Sequence, residues 1–179
     1  MRILAVGAHP DDLELLCAGT LIKYSKEGHT VVMAHMCNGN KGHFTFPPEE
    51  LASIRAEEAK KSAEIIGAEI IQGEYPDLEL GIDENSKRTA VDVIRRARPY
   101  VIITHSPDDY MVDHINTSRL IVEASFIATL PHYKSDYPAH NVIPPVFFMD
   151  TLAGVNFIPT EYVDITDEIE IKEKMLLCH

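Results

Sequence analysis

Cysteine is scarce and poorly spaced for cross-linking. Cys17, Cys37 and Cys178 are an odd number and form no CxxC pair, which argues against both a disulfide framework and a thiolate zinc cluster. They read instead as small buried or half-buried thiols. Long apolar runs are also missing: nothing approaches the roughly 20 apolar residues that a membrane span requires. The opening MRILAVGAHPDD carries one Arg and a short apolar run that leads straight into charge. It lacks the longer apolar region and small-residue cleavage site of a secretory leader, so the expectation is a cytoplasmic protein. Basic residues are in deficit, with 16 Lys and Arg against 28 Asp and Glu and a formal charge of −12. A duplex or membrane binder usually presents a basic face. Nucleic acid is therefore a poor candidate partner, and a neutral or cationic small molecule fits better. The acids are spread along the chain rather than blocked into a tail, so most serve to solvate helix faces.

What is present is a chain of 179 residues with an apolar fraction of 45%. That suits one domain over residues 1–179 with a sizeable core. Residues 2–7 form a short apolar run ending at Gly7, and 12–27 follow with helical spacing that lets Leu13, Leu16, Thr20 and Tyr24 share a face. Gly28 is placed to cap that helix. Residues 30–37 read as a second buried strand, and 38–48 as a turn-rich loop. A helix is expected over 49–66, a short strand near 69–72, and a helix capped by Asn85 or Ser86 that runs to about Arg98, where Pro99 blocks it. The strand YVIIT at 100–104 precedes a polar loop and a helix from about His114 to Thr129. Residues 146–149 and 161–164 are candidate strands, and the final helix begins near Thr166 and Asp167. Strands alternating with helices predict an α/β, Rossmann-like three-layer fold with a mostly parallel sheet. Ligands in such folds sit beyond the carboxyl ends of the strands.

Two polar clusters fall at those ends. His9-Pro10-Asp11-Asp12 closes the first strand, and His105 to His114 follows the YVIIT strand. Each alone is compatible with a helix start, because Asp is a favoured N-cap and acids suit the positive end of a helix dipole. His9, however, adds nothing to a cap. Together the clusters supply two imidazoles and several carboxylates. A catalytic zinc site needs three N and O ligands and one open position. Of the adjacent Asp11 and Asp12, whose side chains diverge, one can ligate while the other takes a proton from a metal-activated water. A dinucleotide fingerprint is excluded: it needs glycines at this turn, and carboxylates here would repel a pyrophosphate. There is also no GxxxxGK[ST] loop and no GxSxG turn.

These residues resemble the PIG-L/LmbE family of zinc-dependent N-deacetylases over nearly the whole chain. HPDDLELLCAGTL is similar to the family's HPDD turn and helix, IRAEEAKKSAEIIG to its Arg-x-x-Glu helix, YPDLEL to its Pro-Asp-Gly-x-Leu segment, and THSPDDYMVDHINTS to its second motif. The resemblance implies His9, Asp12 and His114 as metal ligands and Asp11 as the general base. It implies Asp113 as an acid that orients a nearby His, and Arg55 and Asp77 as substrate contacts. The cofactor implied is Zn2+, although two imidazoles and a carboxylate also accept Fe(II), Co(II) or Mn(II). The substrate implied is an N-acetylglucosamine-type conjugate whose acyl group is removed. A non-sugar amide on the same scaffold, or a metal-retaining but inactive sugar-binding domain, are the alternatives, and assembly into a homo-oligomer is compatible with the sequence. One departure stands out: Met111 lies where many members carry a His that stabilises the oxyanion or protonates the leaving amine, and Met does neither. Tyr110, His43, His105 and His140 are the candidates to replace it. The last helix stops at His179, earlier than the family pattern, so the domain reads as shortened at its C-terminus.

Overall fold

The computed structural model describes residues 1–179. Five strands, β1 (Arg2–Gly7), β2 (Thr30–His35), β3 (Glu69–Ile71), β4 (Val101–Thr104) and β5 (Val146–Phe148), form one sheet in the order β3-β2-β1-β4-β5. Every neighbouring pair is parallel, so the sheet is wholly rather than mostly parallel. The helices are α1 (Asp12–Leu16), α2 (Ala18–Lys26), α3 (Pro48–Ile65), α4 (Glu84–Ala97), α5 (Val112–Ile127) and α6 (Ile169–Leu176), with one 3-10 turn at Thr166–Glu168.

Side chains alternate across the sheet, as the two-residue period of a strand requires. Leu4 and Val6 of β1 join Val32, Ile102, Val91, Ile94, Leu120 and Ile121 in one core, which α4 and α5 cover. Ile3 and Ala5 point the other way, into a second core with Met33, Ile103, Leu13, Leu21, Ile22, Ala63 and Met175, which α1, α2, α3 and α6 cover. The result is the expected three layers. The chain runs outward from β1 to β3 and then crosses back to place β4 on the other side of β1. The carboxyl ends of β1 and β4 thus flank the point where strand order reverses, which is where a ligand crevice opens in such sheets.

Several boundaries differ from the sequence reading. The first helix is interrupted at Cys17, whose φ of −139° is not helical. Its deepest residues after the break are Ala18, Gly19, Leu21 and Ile22 rather than Thr20 and Tyr24. Gly19 is required there: a Cβ would lie 2.6 Å from Ile165, which packs over it. The cap of α4 is Asp83, whose carboxylate accepts from the N–H groups of Asn85 at 2.8 Å and Ser86 at 2.9 Å. Residues 161–164 form no strand, because that segment is largely exposed and has no neighbour to pair with. No helix is long and apolar enough to cross a membrane.

Candidate metal centre

The first cluster owes its shape to one backbone angle. Asp11 has φ 113°, a conformation that L-residues avoid. It reverses the chain after β1, so that His9 and Asp12 face one another across the turn. The N–H of His9 donates to Oδ2 of Asp12 at 2.7 Å and closes the turn. The second cluster follows β4. Asp109 gathers it: Oδ1 accepts from the N–H groups of Tyr110 at 2.6 Å and Met111 at 3.0 Å. Met111 caps α5 with an extended backbone, which starts the helix at Val112 and carries Asp113 and His114 on its first turn.

The side chains then meet. Atoms of His9, Asp12 and His114 that could ligate a metal all lie within 4.8 Å of one another. Nδ1 of His9 is 3.6 Å from Asp12 Oδ2, and Nε2 of His114 is 3.2 Å from Asp12 Oδ1. Each imidazole gives its far nitrogen to a separate carboxylate: His9 Nε2 to Asp113 Oδ2 at 3.1 Å, and His114 Nδ1 to Asp109 Oδ2 at 3.0 Å. That is how metal-binding histidines are held, since a carboxylate on one nitrogen fixes the ring and frees the other nitrogen's lone pair. His114 Nε2 is buried and has no hydrogen-bond partner. An orphaned imidazole nitrogen, a carboxylate and a second oriented imidazole fit the donor chemistry of a divalent transition metal.

Two other sets meet the same distance, His9 with Cys37 and Asp77, and His105 with Asp109 and His114. Neither is free to ligate. Asp77 already accepts from the N–H groups of Gly39 at 2.8 Å and Lys41 at 2.9 Å. Burial pushes the Cys37 thiol up, away from the thiolate a metal needs. Asp109 is committed to His114 and to two backbone amides.

Electrostatics favour the first set. Burial works against the charge of Asp12, but His105, His114 and His9 outweigh it and hold the carboxyl well below its ordinary range. For His9, burial is again opposed, here by Asp12, Asp77 and Asp113, and the ring is pushed up to about 9. Asp11 stands outside the ligand set. Burial raises its pKa against the opposing effect of Arg55, whose Nη2 lies 2.7 Å from Asp11 Oδ2. Arg55 also donates to the carbonyl of Pro10.

Asp77 and Arg55, expected as substrate contacts, have different surroundings. Asp77 is buried beneath loop 39–41 and pins its backbone. Arg55 engages Asp11 and Glu58. Of the four groups considered as replacements for the His missing at 111, only His105 is at the centre. It stacks on His114 with ring centroids 3.8 Å apart. Its Nε2 accepts from the N–H of Ala8 at 2.9 Å and lies 3.1 Å from Asp12 Oδ2. His140 lies at the opposite end of β4, 2.8 Å from the carbonyl of Pro99, and His43 and Tyr110 are exposed. Asp109, given no role in the motif reading, and His105, considered there only as a replacement for the His missing at 111, both contact the candidate ligands. The signal for Asp109 is a carboxylate five positions before a ligand His. A cavity of about 270 Å3 opens beside Pro10, lined by His35, Cys37, Asn38, Ser53 and Gln72 among others.

Residues 4–125 match the family model described as GlcNAc-PI de-N-acetylase. This chain belongs to the PIG-L family. As a PIG-L protein it is 30% identical to diacetylchitobiose deacetylase of Thermococcus kodakarensis over 99% of its own length and 68% of that enzyme's. Its fold superimposes with a TM-score of 0.88 on N,N'-diacetylchitobiose deacetylase from Pyrococcus horikoshii, at 26% identity, covering 98% of this chain and 68% of that one. The PIG-L domain is also 26% identical to 4-oxalmesaconate hydratase of Pseudomonas putida, covering 98% of this chain and 71% of the hydratase. The same family fold therefore serves enzymes named for hydrolysis and for hydration.

Proposed function

We propose that this chain is a divalent-metal-dependent N-deacetylase, zinc by preference, that removes the acyl group of an N-acetylglucosamine-type conjugate. The observation that carries the reading is the meeting of His9, Asp12 and His114 within 4.8 Å. Two imidazoles and one carboxylate leave a coordination position open for substrate or water. When bound, the metal supplies Lewis acidity toward the amide carbonyl and acidifies a water. His9 presents Nδ1 and His114 presents Nε2, because Asp113 and Asp109 occupy their other nitrogens. Asp11 accepts the proton of the attacking water at its carboxylate and returns it to the departing amine. Arg55 holds that carboxylate in place until substrate enters. Asp77 acts through the loop it pins, which borders the centre.

Met111 bears on rate. Losing one oxyanion donor typically lowers turnover on the order of 100–1,000-fold. His105 does not fill the gap, since its Nε2 is turned to Ala8 and Asp12. Turnover on simple N-acetyl sugars is accordingly slow.

The test combines metal analysis with amine release from a panel of N-acetylglucosamine conjugates and N-acyl amines. The expected result is about one divalent metal per chain and release that disappears in Asp11→Asn. A metal-free protein, or undiminished release by Asp11→Asn, overturns the proposal. The hydratase relative supports a second reading, in which the same centre adds water across an activated C=C bond of an unsaturated acid. Loss of that substrate's ultraviolet absorbance without amine release from any amide in the panel would favour it.

A further inference from the structure

Behind the catalytic turn lies a second set of ionisable side chains that the proposed hydrolysis does not use. Glu14, on α1 two residues after Asp12, is fully buried. Its Oε1 accepts from Ser62 Oγ of α3 at 2.5 Å and lies 3.5 Å from Nε2 of His179. The other ring nitrogen of His179, Nδ1, lies 3.8 Å from Glu58 Oε2. That same oxygen is 3.3 Å from Nη1 of Arg55, whose Nη2 is 2.7 Å from Asp11 Oδ2. A continuous run of contacts between ionisable side chains thus leads from Glu14 through His179, Glu58 and Arg55 to Asp11, and it draws on α1, the residues after α6, α3 and the turn after β1.

His179 is the unusual member. It follows α6, yet its side chain is only 4% exposed, and neither ring nitrogen makes a hydrogen bond. An imidazole placed only to fill space would leave two buried polar atoms uncompensated. Here each nitrogen faces a carboxylate. Burial disfavours the Glu14 charge, but His179, His35 and Ser62 outweigh it and hold the carboxyl below its ordinary value. Ser62 and Glu14 therefore fix the ring from one side, and the ring meets Glu58 on the other.

The consequence concerns the orientation of Arg55. A guanidinium is a planar fork whose two ends move together. With Nη1 on Glu58, rotation of the fork is restricted and Nη2 is directed at Asp11. With Glu58 unsupported, the Pro10 carbonyl is the one remaining anchor beside Asp11, rotation of the fork is less restricted, and Asp11 is held less firmly.

We propose that His179 is a positioning residue for the reaction: by supporting Glu58 it sets the Arg55 guanidinium against Asp11 and so orients the base. The inference rests on the reading of Asp11 as base. A small misplacement of a reacting group can lower rates by about 100-fold. The base here is held at one further remove, so a loss in kcat of roughly 10-fold, with KM unchanged, is expected for both His179→Ala and Glu58→Gln.

Two measurements decide it. The first is kinetic: His179→Ala, Glu58→Gln, Arg55→Lys and the His179→Ala/Arg55→Lys double variant are compared on the best amide substrate, with bound metal quantified in each. The expected result is unchanged metal content, lowered kcat, steady KM and a double variant no slower than Arg55→Lys alone. Glu58→Gln keeps the side-chain shape at a part-exposed helix position, so its kinetics do not depend on the fold tolerating loss of His179. A kcat for Glu58→Gln within twofold of the parent overturns the proposal, as does a fully additive double variant. The second measurement needs no substrate: crystal structures of His179→Ala and Glu58→Gln should have Arg55 withdrawn from Asp11. An Arg55–Asp11 pair retained in both overturns the inference even if no amide is ever hydrolysed, whereas absence of amide hydrolysis by the parent tells only against the deacetylase reading.

Discussion

At the scale of single residues, the centre depends on backbone positions that an L-residue dislikes. Leu78 has φ 66°, is mostly exposed, and donates its N–H to Asp113 Oδ2 at 2.7 Å. The family pattern has Gly at this position, and the left-handed angle explains why. A left-handed L-residue is strained by roughly 1–2 kcal/mol, while glycine's greater freedom in the unfolded chain offsets part of the relief. Leu78→Gly should therefore raise stability by about 1 kcal/mol, or roughly 2–4 °C in melting temperature for a domain of this size. Calorimetry checks it, and a lower melting temperature would contradict it. Asp109 makes a second prediction at this scale. Its carboxylate fixes which nitrogen of His114 is free. Asp109→Asn should weaken metal binding by about 10–100-fold, measured by competition with a chelator, with α5 intact by circular dichroism.

At the scale of elements, apolar spacing and punctuation made most helices and strands legible, while their ends depended on contacts that spacing does not carry. The break at Cys17 went unread because the apolar periodicity continues across it. α5 begins at Val112 rather than His114 because Met111 takes the extended cap conformation and Asp109 receives its N–H. The cap of α4 was misplaced by two or three residues. Asp83 forms a capping box with Ser86, whose hydroxyl accepts from the Asp83 N–H at 3.0 Å, and a nearby Asn85 offered an equally polar decoy. Asp83→Ala should lower stability by about 1 kcal/mol, within the range for lost N-caps, and urea unfolding would report it. The meeting of the candidate ligands His9, Asp12 and His114 was legible because the motifs keep them in short, recognisable strings. His105, Asp109 and His179 were not given their roles, because their partners are fixed only when strand order and helix docking are known.

The whole molecule carries a pH dependence that arises at a buried imidazole beside the candidate metal ligands. His35 at the end of β2 is buried, and burial pushes its pKa from 6.5 down to about 4. The unfolded chain therefore binds a proton at this residue between those values while the folded chain does not. Stability is complete above about pH 6.5 and falls as pH drops toward 4, by on the order of 3 kcal/mol. His35→Leu should flatten that part of the stability profile in metal-free protein. Denaturant titrations at pH 4.5, near the foot of the window, and at pH 7, above it, would measure it, and an unchanged slope would count against the assignment.

The crossing of the chain between β1 and β4 has a consequence in time as well as space. His9 and Asp12 leave the ribosome early, but His114 belongs to α5 and comes about a hundred positions later. Under the proposed centre, a nascent chain that ends before α5 has only two of the three candidate ligands, so ion capture would follow the synthesis and joining of both halves of the sheet.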